Sequence, residues 1–286
     1  MKDWFGYKGK KCVVTGAATG MGQAGVEMML DLGAEVYTLD VKPVEAPVKK
    51  ALTVDLSDKA AIDDAFKQLP DKIDKFFGFA GVGGVRESFA LTVKVNFLAN
   101  KYITDAFLAR RMNPGGAIAY ISSLGGIGWL EYQDDYKDVC AARTYEEAVK
   151  LIEAKPVLKG PMPPGMLGYV FAKRALIYYS KTMVTEFAKK SVRINTVSPG
   201  ITATPLLAHD WLPAFGSAGI EAGNLGAVAR YAEPYEMGQP IVFVNSDMAS
   251  YISGVDIQVD YGFKALRDLA TTDKHYHPGS GPVLES

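Results

Sequence analysis

The stretch that decides the fold is Lys11-Cys12-Val13-Val14-Thr15-Gly16-Ala17-Ala18-Thr19-Gly20-Met21-Gly22. Its first five residues form a short apolar run that predicts a buried strand, and the helical spacing of Val26, Met29 and Leu30 predicts a helix after it. Glycines let the backbone approach a ligand closely, and a helix N-terminus offers free N–H groups. A strand, a glycine turn and a helix in this order are therefore typical of a pyrophosphate site, the alternative being a tight turn without a ligand. We predict dinucleotide binding by the turn, at Gly16, Thr19, Gly20, Met21 and Gly22.

Asp40 ends the second predicted strand and lies 18 residues beyond Gly22 (40 minus 22). A carboxylate near this offset accepts hydrogen bonds from the adenosine ribose and repels a 2′-phosphate. This position favours NAD over NADP, while the nearby Lys42 weakens the preference. The alternative is a solvated strand end.

Asp55 and Leu56 follow the third predicted strand, 51–54, at a place where side chains can contact an adenine. Capping of the next helix by Asp55, Ser57 or Asp58 is equally open.

Ala80 and Gly81 end the fourth predicted strand and its turn, 76–81. Small residues there would let the backbone pack against the cofactor ribose. Asn96 follows in the middle of a helix predicted over 88–110. Taken alone, it is best explained as an exposed polar residue, because Asn forms helices poorly.

Ser123 comes just after the fifth predicted strand, 117–121, and Pro199-Gly200 follows the sixth, 193–197. The carboxyl ends of parallel strands are where open sheets bind ligands. For Ser123 the alternative is ordinary turn chemistry beside glycine.

Tyr169 and Lys173 are four residues apart, so they share one face of a predicted helix. Tyr7 and Lys11 repeat this spacing without neighbouring site features. The spacing alone therefore indicates no more than a solvated helix face.

The composition excludes several function classes. Charged residues make up 22% of 286 and leave a formal net charge of -1, which argues against nucleic acid as a partner. The cysteines and histidines have no metal-ligand or disulfide-framework spacing, so we predict no metal: they are Cys12, Cys140, His209, His275 and His277.

The N-terminus lacks the apolar core of a signal peptide, and the longest uncharged run, 112–130, is interrupted by Pro, Asn, Ser and Gly. We expect no membrane span and a cytoplasmic location. Residues 129–165 interrupt the alternation of strands and helices. A capping box at Thr144–Glu147, with Pro156 as the stop, predicts a helical hairpin or flap that is too small for its own core.

Taken together and in this order, the glycine turn, Asp40, Asn96, Ser123 and Tyr169 with Lys173 resemble the short-chain dehydrogenase/reductase superfamily. The resemblance covers about residues 10–262. It implies an α/β fold with a Rossmann-type, doubly wound parallel sheet of about seven strands. One domain would span 1–286, with a helical insertion at about 129–165 and a tail at about 264–286.

The resemblance also implies residue roles. Tyr169 would be the general acid/base, and Lys173 would hold the nicotinamide ribose and lower the phenol pKa from its usual ~10. Ser123 would orient the substrate oxygen, and Asn96 would hold a water linked to Lys173. The Pro199-Gly200 turn, Ile201 and Thr204 would grip the carboxamide end of the cofactor.

Two departures from the family pattern stand out. Phe79 occupies a turn position where the family usually has Asn. Ser123 and Tyr169 are 46 positions apart (169 minus 123), and this insertion resembles the bacterial 3α-hydroxysteroid dehydrogenase/carbonyl reductase group.

The leading hypothesis is an NAD(H)-dependent dehydrogenase for a secondary alcohol or ketone on a bulky apolar substrate, such as a steroid or bile acid. Apolar residues from 206 to 215, with Trp129, Leu130 and Tyr132, would line the pocket. Alternatives are a polyol, sugar or small-ketone reductase with a more polar pocket, and a non-catalytic NAD-binding sensor or scaffold. The superfamily implies a homodimer or homotetramer, and the insertion would block one of the usual interfaces.

Overall fold

A computed structural model describes residues 3–155, 162–221 and 225–272. Its centre is a seven-stranded parallel sheet in the order β3-β2-β1-β4-β5-β6-β7. The strands are β1 (Lys11–Thr15), β2 (Glu35–Asp40), β3 (Lys50–Thr53), β4 (Ile73–Gly78), β5 (Met112–Ile121), β6 (Arg193–Pro199) and β7 (Asp256–Val259). This confirms the predicted doubly wound α/β fold. The strand order reverses between β1 and β4, so a ligand crevice opens at their carboxyl ends.

Helices cover both faces of the sheet. They are α1 (Gly20–Asp31), α2 (Lys59–Phe66), α3 (Phe89–Val93), α4 (Ala99–Ile103), α5 (Ala109–Arg111), α6 (Lys137–Ala141), α7 (Tyr145–Glu153), α8 (Pro164–Thr182), α9 (Val184–Ala188), α10 (Leu212–Glu221), α11 (Pro234–Asn245) and α12 (Phe263–Thr272). One buried cluster includes Phe76 and Ile118, and the other includes Val14 and Ile241. The strands read as continuous apolar runs because the sheet is buried on both faces.

The predicted helix over 88–110 is less regular than its sequence suggests. Ser88 caps it by accepting a hydrogen bond from the Leu91 N–H. Two π-helical turns then interrupt the run, at Lys94–Leu98 and Thr104–Leu108. The first of them contains Asn96. Hydrophobic spacing cannot reveal such a turn, because one extra residue barely disturbs the pattern.

Two other boundaries differ from the prediction. The sequence predicts that the helix carrying Tyr169 runs to about residue 190, but α8 ends at Thr182 and α9 follows it after Met183. Strand β5 begins at Met112, several residues before the predicted start. Within the described ranges, none of the helices is long and apolar enough to cross a membrane.

The insertion packs against the main body of the fold. Tyr136, Val139 and Ile152 are buried in the same hydrophobic cluster as the sheet. Thr144 caps α7 as predicted, but Glu147 accepts a hydrogen bond from the Arg143 N–H, one residue before the cap. The predicted stop at Pro156 lies outside the described residues. The hairpin obtains its core by docking, as its small size requires.

Candidate active site

A cavity of about 1050 Å³ runs along the carboxyl edge of the sheet, and it collects almost all of the predicted site residues. Its lining includes Gly16, Thr19, Gly20, Met21, Gly22, Asp40, Asp55, Leu56, Ala80, Gly81, Ser123, Tyr169, Lys173, Pro199, Gly200, Ile201 and Thr204. In the described part of the chain, His, Cys, Asp and Glu side chains form no group of three or more that could hold a metal ion.

The glycine turn closes on itself without room for side chains. Gly16 has a φ of +71°, and a Cβ on it would lie 2.4 Å from the Ala80 backbone nitrogen. A Cβ on Gly22 would lie 1.9 Å from the Gly16 carbonyl oxygen. Thr204 covers the turn, since its Cγ2 would be 3.2 Å from a Cβ on Gly20. The turn and the N-terminus of α1 therefore fit a dinucleotide pyrophosphate.

Asp40 is held in place by two backbone hydrogen bonds. Its carboxylate oxygens accept from the N–H groups of Ala18 and Lys42, each at 2.9 Å. A carboxylate has further lone pairs, so Asp40 can still accept ribose hydroxyls from the cavity that it lines.

The capping question at Asp55 has a structural answer. Asp58 caps α2 by accepting the Ala60 N–H at 2.8 Å, whereas Asp55 accepts the Ser57 N–H at 2.8 Å and lines the cavity. Asp55 is therefore not the cap, and Leu56 lies beside it on the cavity wall.

Phe79 serves as a core anchor in the turn after β4. Its N–H donates to the Thr15 carbonyl at 3.0 Å, which ties the turn to β1. Its ring stacks on Phe77 at 6.3 Å and packs against Gly25 of α1. Apolar packing thus fixes this turn, although the family pattern has a hydrogen-bonding Asn there.

Asn96 is fully buried, which contradicts the exposed placement expected from the residue alone. Its side-chain oxygen accepts the Val82 N–H at 2.8 Å, and its amide donates to the Val82 carbonyl at 3.0 Å. A Cβ on Gly81 would lie 3.2 Å from Asn96 Oδ1 and 3.8 Å from Lys173 Nζ. Asn96 therefore lies directly behind the cavity wall, near the ammonium, and is absent from the lining itself.

Tyr169, Lys173 and Ser123 converge at the centre of the cavity. Lys173 Nζ lies 5.4 Å from the Tyr169 ring centroid and donates to the Ile121 carbonyl at 2.9 Å. Ser123 Oγ accepts the Gly125 N–H at 3.1 Å. Because Lys173 is tied to the end of β5, the helix face and the strand end keep a fixed relation.

Burial shifts the pKa values of Tyr169 and Lys173 in the directions that disfavour the ionised form of each side chain. It raises the pKa of Tyr169 to about 12, against a hydrogen bond with Ser123 that lowers it. It lowers the pKa of Lys173 to about 8. In the protein without cofactor the phenol pKa is therefore raised, opposite to the expected lowering, because desolvation outweighs the hydrogen bond with Ser123.

Replacement of Lys173 by Met is expected to stabilise the fold at pH 7. The cost of burying the ammonium is present in full below its folded pKa of about 8 and disappears as the pH rises through the unfolded value of 10.5. The gain in free energy of unfolding should be on the order of 1–3 kcal/mol. Denaturant unfolding at pH 7 and pH 10 measures it, and the gain should shrink at pH 10.

Lys72→Met is the matched control, because Lys72 is exposed. It should show no such pH-dependent gain. A Lys173→Met protein that is less stable than wild type at pH 7 would contradict the argument.

The Tyr7 and Lys11 pair has a purely structural place. Tyr7 is fully buried, and its hydroxyl donates to the Val242 carbonyl at 2.7 Å. Lys11 begins β1, so the two residues do not share a helix face.

Several wall residues were missed in the sequence. Met166 and Val170 line the cavity beside Tyr169 and Lys173. All four fall at i, i+3, i+4 and i+7 on α8, a spacing that could have revealed the first two. Apolar side chains dominate the outer cavity: Val82, Leu91, Val95, Met162, Met166, Val170, Leu206, Leu207, Trp211, Phe215 and Ile220.

The insertion contributes less to the wall than predicted. Trp129, Leu130 and Tyr132 do not line the cavity, so that prediction is wrong. Trp129 packs under the Lys181 ammonium, at 5.1 Å, and Tyr132 lies against Arg174, at 4.0 Å. These two rings face cations on α8 and not the crevice, because the insertion docks on the outer side of that helix.

Trp211 forms the wall nearest to the reacting centre. Its ring lies edge-on to the Tyr169 ring, with centroids 5.4 Å apart. Its indole N–H donates to the Gly83 carbonyl at 3.1 Å. The hydrogen bond fixes the ring between Tyr169 and the turn after β4.

Comparisons with known proteins agree with this geometry. The family model "NAD dependent epimerase/dehydratase family" matches residues 12–149, and "Enoyl-(Acyl carrier protein) reductase" matches 158–264. The chain is 32% identical to the coniferyl-alcohol dehydrogenase of Pseudomonas sp. (strain HR199), over 88% of this chain and 96% of that one. It is 28% identical to the 3-alpha-hydroxysteroid dehydrogenase/carbonyl reductase of Comamonas testosteroni, over 89% and 96%.

A solved structure is also similar. The 3-alpha-hydroxysteroid dehydrogenase from Pseudomonas sp. B-0831, complexed with NADH, superposes with a TM-score of 0.73 at 25% identity. The match covers 93% of this chain and 100% of that one.

Proposed function

Because the chain belongs to the short-chain dehydrogenase/reductase superfamily and is an oxidoreductase acting on alcohols, we propose that it interconverts a secondary alcohol and a ketone on a bulky apolar substrate, with NAD(H) as cofactor. A hydroxysteroid or bile acid is the substrate class in view. The observation that carries the proposal is the convergence of Tyr169, Lys173 and Ser123 beneath an apolar outer cavity.

In the direction of oxidation, Tyr169 accepts the proton of the substrate hydroxyl. Ser123 hydrogen-bonds the same oxygen and orients it, while Lys173 stabilises the phenolate that Tyr169 must present. NAD⁺ held by the glycine turn and Asp40 would supply the hydride acceptor, so that oxidation of the alcohol would give the ketone, NADH and a proton. Asn96 positions the loop at Val82 and borders the ammonium, in keeping with a role in proton exchange.

A second candidate substrate is an aryl allylic alcohol. The relative at 32% identity is named a coniferyl-alcohol dehydrogenase. The fixed edge of Trp211 beside Tyr169 would contact an aromatic ring bound at the reacting centre. The two candidates differ in whether the reacting alcohol is secondary or primary.

The test follows NADH production across hydroxysteroids, bile acids, coniferyl-type alcohols, polyols and simple secondary alcohols. We expect the apolar compounds to exceed the polyols by about 100-fold or more in kcat/KM, because each buried methylene adds about 0.8 kcal/mol. A preference for polyols would contradict the proposal. Intact NAD binding without turnover of any compound would instead support the sensor or scaffold hypothesis.

Asp40→Ala is expected to relax the preference for NAD over NADP by about tenfold or more. The change removes charge-assisted hydrogen bonds to the ribose and the repulsion of a 2′-phosphate. The ratio of kcat/KM values for NAD and NADP measures the effect. Lys42→Ala should move the ratio the other way, since it removes a cation that a 2′-phosphate would favour. An unchanged ratio in Asp40→Ala would count against the assigned role.

The insertion supports a proposal about assembly as well. It covers the run of helix from 89 to 111: the Tyr145 ring lies edge-on to Tyr102, with centroids 5.3 Å apart, and Glu153 pairs with Lys94 at 3.1 Å. We therefore expect a homo-oligomer that does not pair through this run and α8. Light scattering gives the mass. A tetramer that disulfide cross-linking shows to be paired through those helices would defeat the idea.

A further inference from the structure

The outer cavity carries two acidic side chains that the proposed chemistry does not use, Glu87 and Asp210. Glu87 Oε2 accepts the Gly84 N–H at 3.0 Å. Asp210 Oδ2 would lie 3.1 Å from a Cβ on Gly83. Both carboxylates therefore flank the Gly83-Gly84 turn.

This turn is separated from the reacting centre by one aromatic ring. Trp211 lies edge-on to Tyr169 and donates its indole N–H to the Gly83 carbonyl. A substrate that reacts at Tyr169 and follows the apolar wall across Trp211 arrives at Glu87 and Asp210. The two acids are thus placed to meet a group remote from the reacting carbon.

The charged side chains that line this end of the cavity are acidic, and His209 lies beside them in the lining. The lysines that line the cavity are Lys173, at the reacting centre, and Lys42, beside Asp40 at the cofactor end. Arg86 lies outside the lining, with its side chain 71% exposed. Its guanidinium is 3.8 Å from Asp210 and donates to the His209 carbonyl at 2.9 Å.

Carboxylates accept hydrogen bonds and cannot donate them, so a group bound to Glu87 or Asp210 must be a donor. A carboxylate on the ligand would be repelled by the carboxylates of Glu87 and Asp210 in this partly desolvated site. A hydroxyl would instead form a charge-assisted hydrogen bond. Apolar side chains cover the rest of the path, so the remainder of the ligand must be apolar.

We propose that the Gly83-Gly84 end of the cavity recognises a neutral substrate through a hydroxyl remote from the reacting carbon and rejects substrates that carry a carboxylate there. The inference rests on the proposed function and narrows it: neutral hydroxylated sterols or phenols are substrates, and bile acids are not.

The experiment compares three compounds on one ring system that share the reacting alcohol and differ at the remote position, which carries a hydroxyl, a methyl or a carboxylate. In the wild-type protein, kcat/KM should fall by about tenfold from the hydroxyl to the methyl compound and by more to the carboxylate. Equal values for the hydroxyl and carboxylate compounds would overturn the proposal.

Variants locate the effect. The double change Glu87→Gln with Asp210→Asn should reduce the hydroxyl-to-carboxylate ratio by about tenfold or more. Arg86→Gln should increase the ratio, because it leaves Asp210 without its partner. Asp71→Asn, an exposed acid between α2 and β4, should leave the ratio unchanged. A ratio that is unaffected by the double change would remove Glu87 and Asp210 from the argument.

Binding separates this inference from the proposed chemistry. Calorimetry with the Tyr169→Phe protein and NAD measures the three affinities without turnover. If the wild type turns over none of the compounds but the hydroxyl compound still binds at least about tenfold more tightly than the carboxylate, the proposed function fails and the recognition stands. If the hydroxyl compound binds no better than the carboxylate, the recognition fails, whatever the activity.

Discussion

Tyr169→Phe should lower kcat by about 10²–10⁴-fold, the usual contribution of a general acid/base, while the affinity for NAD stays within about twofold. The phenol oxygen is the atom that must take the substrate proton, and its loss leaves the ring packing against Trp211 intact. The rate of NADH production measures turnover, and calorimetry measures the affinity for NAD. In the wild type, the rate of oxidation should also increase as the pH rises toward the Tyr169 pKa. The residual rate of the variant should not show this increase with pH.

Tyr7→Phe is the matched control, since Tyr7 has the same spacing from a lysine. Its hydroxyl donates to the Val242 carbonyl in the core, so the change should cost about 1–3 kcal/mol of stability. Turnover should remain close to that of the wild type. Near-wild-type activity in Tyr169→Phe would show that the mechanism is wrong, whatever Tyr7→Phe does.

The sheet and the glycine turn were predictable because their signals are local. Each strand is a short apolar run. Gly16 and Gly22 lie where a Cβ atom would collide with neighbouring backbone atoms. Sequence spacing also placed Asp40 and Ser123 correctly at strand ends on the cavity edge. Such residues are found from the sequence because one edge of a parallel sheet gathers every strand's carboxyl end.

Other parts of the site depend on packing between distant segments. Asn96 looks exposed in a helical pattern, yet a π-helical turn directs it at the Val82 backbone. Trp129 and Tyr132 suggested a pocket wall, but they meet cations on α8. The direction in which an inserted segment docks is decided by tertiary contacts, which periodicity does not encode.

The pKa values show a similar limit. Sequence reasoning identified the favourable charge near Tyr169 but not the extent of burial. Since Tyr169 and Lys173 are both almost excluded from water, desolvation opposes ionisation of each group. Keeping the proposed catalytic pair buried therefore costs the protein stability. The gain in free energy of unfolding that we expect for Lys173→Met is a measure of this cost.

Gly22→Ala is expected to weaken NAD binding by about 100-fold or more. The new methyl would lie 1.9 Å from the Gly16 carbonyl oxygen and 2.9 Å from its carbon, so the turn must open. Opening moves the backbone that approaches the pyrophosphate and displaces the first N–H groups of α1 from it. Calorimetric titration with NAD measures the loss, and turnover at saturating substrate should fall with it.

Gly9→Ala is the control that distinguishes the steric clash in the glycine turn from the general cost of placing alanine in strained backbone. Gly9 has a φ of +70°, but a Cβ there would have nothing within 4 Å. The left-handed conformation should cost the alanine variant about 1–2 kcal/mol of stability, measured by denaturant unfolding, with no change in NAD affinity. If Gly22→Ala lost stability to a similar extent but still bound NAD as the wild type does, the glycine turn would not be the pyrophosphate site. A selective loss of NAD affinity in Gly22→Ala would assign the site to the contact between Gly22 and Gly16.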